Sequence, residues 1–152
     1  MAALQQRIAD EMKAALLGGD RFRGDLLRGL KAALLNEEVA KQKRAEGLSD
    51  AEVEAVLTRE AKKRAESTAL YEQNGREDLA EPERREREII QEFLPEQMSE
   101  ADVQTVVDAK IAELGASDMS AMGQVIGAVK QQVGSAADGA LVAKLVKETL
   151  QK

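Results

Sequence analysis

The chain has 152 residues, which is room for one ordinary domain or two small ones, and its formal net charge is −6. General nucleic-acid binders usually carry a basic excess, so a nucleic-acid role here would require a local patch. Cysteine and histidine are both absent. Their absence excludes disulfides, thiol nucleophiles, Cys/His zinc sites and imidazole general bases.

Two further classes of protein are disfavoured by composition. A platform that stacks nucleic-acid bases needs several aromatic side chains on one surface, and the chain has only Phe22, Tyr71 and Phe93. Charges such as Arg7 and Asp10 interrupt the N-terminal stretch, and no window approaches the roughly 18 apolar residues of a membrane span. We therefore expect a cytoplasmic protein with no membrane partner.

The sequence predicts an all-α protein, because it is rich in alanine and leucine and shows no sustained alternation of apolar and polar residues. Leu4, Ile8 and Met12 recur at helical spacing, and Gly18-Gly19 ends that first helix. Asp20 is placed to cap a second helix that runs toward Lys43. The apolar stripe of the second helix consists of Phe22, Leu26, Leu27, Leu30 and Leu34.

A polar loop is expected between the second and third helices, at residues 41–47. Ser49 and Glu52 have the spacing of a capping box, in which each side chain bonds the other's backbone N–H. The third helix is predicted to run to about Gln73, where Gly75 can adopt the left-handed conformation that ends a helix.

The fourth helix is predicted to carry Pro82 in its first turn and to end near Leu94, before Pro95. Three arginines (Arg84, Arg85 and Arg87) alternate in it with glutamates. The spacings Glu81→Arg85 and Glu83→Arg87 favour ion pairs within the helix.

A second block of helices begins at Ser99, which has capping-box spacing to Asp102. Gly115 is predicted to end the first of these helices, the next covers roughly 119–132, and the last covers 138–151. The inward-facing residues of the last helix are predicted to be Leu141, Val142, Leu145, Val146 and Leu150.

Pro95 and a fall in the density of charged residues predict a hinge near 95–98. The expected architecture is an N-terminal, hairpin-like subdomain of long, charged helices over 1–95, followed by a compact three-helix tail over 96–152. Long charged amphipathic helices are typical of a body with much solvated surface.

The first block offers little that resembles a catalytic or binding site. The basic run Arg59, Lys62, Lys63 and Arg64 is either a phosphate patch or a solvated face in which Glu60 pairs with Arg64, and the second interpretation is the simpler one. Neighbouring carboxylates point in different directions on a helix, and no spacing activates a serine hydroxyl. We therefore expect no catalytic residue, no metal site and no cofactor.

The glycines of the tail are more informative. Gly123 and Gly127 lie four residues apart in a predicted helix, where each costs about 1 kcal/mol relative to alanine. Close helix packing is the simpler explanation, and close approach by a ligand backbone is the alternative. Gly134, Asp138 and Gly139 predict a tight connection in which Asp138 caps the last helix, whose free amides can also bind an anion.

Lysines of the last two helices complete this candidate surface. Lys144 and Lys147 are predicted to lie opposite the buried stripe, Lys130 can join them near the Gly134 turn, and Glu148 partly offsets Lys144. The predicted RNA- or partner-binding residues are Gly123, Gly127, Lys130, Gly134, Asp138, Gly139, Lys144 and Lys147.

Several motifs in this order resemble those of the YqeY-like family, which are small all-helical bacterial proteins. In the first block the resemblance rests on the segments 8–15, 28–34, 75–79, 88–90 and 93–97. In the tail it rests on Met122-Gly123-x-Val125-Ile126-Gly127, then Gly134, then Ala137-Asp138-Gly139-x-Leu141-Val142. Family members usually have an aspartate directly before the first tail motif. Here Ser120-Ala121 precedes Met122, so that acid is missing.

The resemblance implies two helical subdomains and a tail shared with the C-terminal end of the B subunit of the tRNA-dependent amidotransferase, where the tail contacts tRNA. It also implies the family's label, a carbon–nitrogen ligase activity with glutamine as amide donor, although the catalytic parts of that enzyme lie elsewhere in its assembly. We expect a non-catalytic tRNA-associated module. An accessory component that works with amidotransferase subunits and a protein–protein adaptor are the alternatives, and the oligomeric state is open.

Overall fold

The computed structural model describes all 152 residues and contains helices but no strand, so the predicted all-α fold is confirmed. The chain divides into two compact units, Met1–Leu94 and Pro95–Lys152. The first unit contains α1 (Ala3–Leu17), α2 (Arg21–Ala40), α3 (Asp50–Gln73) and α4 (Glu77–Gln91). The second contains α5 (Glu100–Leu114), α6 (Met122–Val133) and α7 (Gly139–Leu150), with single 3-10 turns at Met119–Ala121 and Gly134–Ala136.

Most helix ends lie where the local chemistry predicts them. The Asp20 carboxylate caps α2 by accepting a hydrogen bond of 3.1 Å from the Arg23 amide. Ser49 and Glu52 form the predicted capping box at the start of α3, and Gly75, with φ of 68°, follows its end. Each device satisfies a backbone group that the helix itself leaves unpaired.

The second helix ends at Ala40, and the predicted loop follows it. One predicted helix boundary is wrong. The fourth helix begins at Glu77, so Pro82 lies in its interior rather than in its first turn. Acidic residues in the first turn stabilise this earlier start by interacting with the helix dipole. Pro82 is exposed, so water can reach the carbonyl that lacks its helical partner.

Only one of the two hydrogen bonds of the predicted capping box forms at the start of α5. The Ser99 hydroxyl accepts a hydrogen bond of 3.1 Å from the Asp102 amide. The Asp102 carboxylate makes no return bond to the Ser99 amide, because its side chain is one methylene shorter than that of the usual glutamate.

The core of the first unit is built mainly from leucine and valine, and α1 and α2 approach each other closely beside it. A Cβ added to Gly24 would lie 2.4 Å from Leu16 Cδ2, which is too close for a real contact. The fully buried side chains of this core include Ile8, Leu27, Leu30, Leu34, Val53, Leu57 and Ile90. Gly24 therefore serves the packing of α1 on α2, a role that the sequence analysis missed.

Arg23 joins three helices of the first unit at the edge of this core. Its guanidinium donates to Glu11 of α1 and to Glu92 after α4, each at 2.7 Å. Burial raises the pKa of Glu11, but hydrogen bonds from Arg7 and Arg23 more than offset this and hold the pKa below its usual value. Arg7 and Arg23 also lie over the Phe93 ring, at 4.5 and 5.9 Å from its centroid.

Glu52 anchors the loop between α2 and α3. Its carboxylate accepts hydrogen bonds from Lys43 at 2.7 Å and Lys41 at 3.1 Å, in addition to its bonds with Ser49. These donors, Lys43 foremost, lower the pKa of Glu52 from 4.5 to about 2. The loop is thus fastened to the start of α3 by one ionised side chain.

The depressed pKa of Glu52 predicts a pH-dependent contribution to the stability of the first unit. The stabilisation is present above about pH 4.5, and it is lost as the pH falls from there toward 2. Glu52→Gln should lower the urea midpoint at pH 7, followed by circular dichroism, and this difference should shrink as the pH approaches 2. Glu66→Gln, on the same helix but without an ion pair, is the control. An equal effect of Glu52→Gln at pH 7 and pH 2.5 would contradict the prediction.

The second unit packs its three helices around a separate core rich in valine. Buried residues of α5, α6 and α7 meet there, together with Ala137 before α7. Val142, Leu145, Val146 and Leu150 are buried as predicted, whereas Leu141 is only half-buried.

Candidate functional site

The two helical glycines of α6 lie on its exposed face. A Cβ added to Gly123 or to Gly127 would meet no atom within 4 Å. The expectation that these glycines serve close helix packing is therefore wrong. Each lowers helix stability by about 1 kcal/mol relative to alanine, and no contact within the unit requires the missing side chain.

Lys130 continues the same face and reaches the beginning of α7. Its Cε and Nζ atoms lie 3.4 Å from the position that a Cβ on Gly139 would take. The N-terminus of a helix carries a partial positive charge, so the ammonium and the helix end reinforce each other. The structure thus brings Lys130 and Gly139 together, and a Cβ at Gly139 would make an ordinary van der Waals contact with the lysine.

Asp138 acts as the N-cap of α7, as the sequence predicts. Its carboxylate accepts a hydrogen bond of 3.1 Å from the Ala140 amide. The cap occupies one of the free amides of the helix end and places a negative charge beside Lys130. An anion that approaches this end therefore competes with Asp138 for part of the positive potential.

Gly134 has a structural role at the end of α6. Its φ of 55° and ψ of −132° belong to a region that side-chain-bearing residues rarely adopt. The segment after it is held by hydrogen bonds from the Gln97 side chain to the Ser135 carbonyl and from the Met98 amide to the Ala136 carbonyl, at 2.9 and 2.8 Å. Gly134 thus sets the turn that brings α7 back beside Lys130.

Lys144 and Lys147 lie exposed on α7 and make no ion pair. Glu148 also stays outside any ion pair with Lys144. Acidic and basic residues are separated within this unit: residues 119–152 contain four lysines and two acids, whereas 95–118 contain one lysine and six acids. The α6–α7 part of the unit is therefore basic although the chain as a whole is acidic.

Asp118 lies close in sequence to the place where the tail motif lacks its usual aspartate, and it has a local structural role. Asp118 caps the 3-10 turn before α6 by accepting a hydrogen bond of 2.9 Å from the Ser120 amide. Hydrogen bonds from the Ser120 hydroxyl and amide lower the pKa of Asp118. The Asp118 carboxylate is therefore occupied by hydrogen bonds within its own turn.

The basic residues of the first unit are mostly engaged with carboxylates. In the run on α3, Arg59 bonds Glu37 at 2.9 Å, and Lys63 and Arg64 both pair with Glu60. The predicted Glu60–Arg64 pair is thus confirmed. Lys62 is the member of the run without an ion pair.

The predicted pairs within α4 are wrong. Glu81 pairs with Arg84 instead of Arg85, and Arg84 also bonds Glu72 and Glu77. Arg85 instead lies over the Phe22 ring, 4.2 Å from its centroid. Neither Glu83 nor Arg87 forms an ion pair. Contacts with other helices redirect these side chains away from their neighbours on α4.

The family model for Yqey-like proteins matches residues 5–150. The chain belongs to the YqeY-like family. No curated protein matches it. None of its helices combines the length and the apolar content needed to cross a lipid bilayer. No group of three or more carboxylates is placed to hold a metal ion.

Proposed function

We propose that this YqeY-like protein is a non-catalytic module that binds the sugar–phosphate backbone of tRNA. The proposed contact surface, called here the glycine face, consists of Gly123, Gly127 and Lys130 on α6, Gly139 at the start of α7, and Lys144 and Lys147 further along α7. The open space over Gly123 and Gly127 is the observation that carries the proposal.

Two glycines on an exposed helix face call for an explanation outside the unit. They destabilise α6, and packing within the chain gains nothing from them. A helix face without side chains lets a bulky backbone approach to within contact distance of the helix. A partner that lies along α6 would be stabilised by this access.

The charges around the glycine face favour an anionic partner. Lys130 stands at the positive end of α7, and Lys144 and Lys147 extend the basic character along that helix. Lysine binds phosphate as a point charge, and phosphate contacts position a nucleic acid without reading its sequence. The scarcity of aromatic residues also points to the backbone rather than to the bases.

The tail's resemblance to the amidotransferase B subunit supports tRNA as the nucleic acid. The same resemblance leads to the family's ligase label, and no residue of the glycine face is suited to break or form a carbon–nitrogen bond. We therefore assign binding to this chain and leave catalysis to other proteins. Amidotransferase subunits are the expected protein partners of a tRNA-bound module.

Titration of full-length protein with tRNA tests the proposal directly. With three lysines in contact with phosphates, the log–log dependence of the binding constant on salt should have a slope of about −2 to −3. Affinity should fall about 40-fold between roughly 50 and 200 mM salt. A slope near zero would overturn phosphate recognition. No binding at 50 mM salt would overturn the proposal in favour of the adaptor, and co-purified amidotransferase subunits would then indicate the accessory role.

A further inference from the structure

The third helix changes character halfway along its length. As far as Ala61 it contributes Val53, Val56 and Leu57 to the core of the first unit. From there to Ile90, near the end of α4, Ala80 is the only buried residue. Residues 62–89, the second half of α3 and most of α4, thus form a hairpin without a hydrophobic core of its own, in which Ile89, at the end of the segment, packs against the core of the first unit.

Ion pairs hold the two helices of this hairpin together instead. Arg64 bonds Glu60 on its own helix at 2.8 Å and Glu86 on α4 at 2.9 Å. Arg84 of α4 bonds Glu72 of α3 at 2.5 Å, and it also reaches Glu77 and Glu81. Two arginines therefore make the charged links between α3 and α4 in this segment.

The space between the helices is also incompletely filled. A groove of about 460 Å³ runs between α3 and α4, and small side chains such as Ala65 and Ala69 line it. The large apolar residues near the end of the hairpin do not fill it: Leu70 is 58% exposed and Leu79 is 38% exposed. Closure of the hairpin is therefore only weakly supported by apolar burial.

We propose that residues 62–89 open as a unit while the rest of the first unit stays folded. We call this segment the charge-latched hairpin, and its ion pairs between α3 and α4 the latch, because they hold the two helices together. Segments with little buried apolar surface open at a lower free energy than the core to which they are attached. The Arg84 pairs, in which the glutamate side chains are 49% to 68% exposed, are screened by salt, so this part of the latch weakens as ionic strength rises. Opening exposes Ala80 and releases Arg64 and Arg84 for other partners, independently of the tRNA surface proposed above.

Hydrogen exchange followed by mass spectrometry on the full-length protein tests the latch. Peptides from 62–89 should exchange faster than those from 50–61, which contain the core-covered half of α3 and serve as an internal control. Raising NaCl from about 0.1 to 1 M shortens the Debye length from about 10 to 3 Å. Exchange in 62–89 should then accelerate by about fivefold to tenfold, while 50–61 should change by less than about twofold.

Arg84→Gln should reproduce the effect of salt, because it removes the link to Glu72 without adding a charge. Arg28→Gln on α2 is the matched control, since Arg28 has a single longer contact of 3.7 Å with Asp25. The proposal is overturned if 62–89 and 50–61 exchange together under all conditions. It is equally overturned if neither salt nor Arg84→Gln changes the relative exchange of the two segments.

Discussion

Replacing Lys130, Lys144 and Lys147 together by alanine is expected to weaken tRNA binding at low salt on the order of 100-fold, because each lysine–phosphate contact releases a condensed counterion. The binding constant of the variant should also no longer depend on salt concentration, because the lysine–phosphate contacts are gone. A titration of tRNA into the variant and the wild-type protein at about 50 mM salt measures both quantities.

The matched control for this triple variant is Arg84→Ala/Arg85→Ala in the first unit. Arg84 is surrounded by three carboxylates, Arg85 lies over Phe22, and both belong to the first unit, outside the glycine face. We expect the control to bind tRNA like the wild type. Loss of binding in the control, with full binding in the lysine variant, would place the RNA surface on the first unit.

Gly123→Ala/Gly127→Ala is expected to stabilise the second unit by about 2 kcal/mol, because both added methyl groups enter open space and alanine favours the helix. Hydrogen exchange of α6 peptides should slow by about 30-fold if these amides exchange through unfolding of the unit. Gly29→Ala on α2, where space is also open, is the control and should leave the second unit unchanged. Faster exchange in α6 would show that the glycines serve a contact within the chain.

A larger side chain at the same place separates stability from binding. Gly127→Leu should also stabilise α6, since leucine is a strong helix former, yet it should weaken tRNA binding by blocking the approach to the helix. A rise in stability together with a fall in affinity would show that tRNA binding requires the glycine. A rise in stability alone would show that this helix face accepts glycine without needing it. Unchanged affinity in this variant would remove Gly127 from the contact surface.

Local chemistry made most helix boundaries predictable from the sequence. Asp20, Ser49 and Asp138 bond backbone amides within three residues of themselves, so their roles depend on nothing distant in the chain. Gly75 and Gly115 at helix ends were predictable for the same reason, because a left-handed conformation there depends only on the local turn.

Contacts between helices explain where the sequence analysis fails. The spacing of Glu81 and Arg85 permits an ion pair, but Phe22 of another helix attracts Arg85 and leaves Glu81 to Arg84. The glycines show the same limit. Gly24 and Gly127 both lie inside helices, and only the tertiary structure shows that Leu16 faces the first and open space faces the second. Gly24 precedes Leu27 by three residues, which was the available signal that it lies on the buried face.

The most direct test of tRNA recognition by the glycine face is amide NMR of the full-length protein, because glycine amides report on both units at once. Addition of tRNA should shift or broaden the resonances of Gly123, Gly127 and Gly139, while Gly24 and Gly75 of the first unit should keep their positions. Changes confined to Gly24 and Gly75, with the glycines of the second unit unaffected, would contradict the assignment of tRNA binding to this surface.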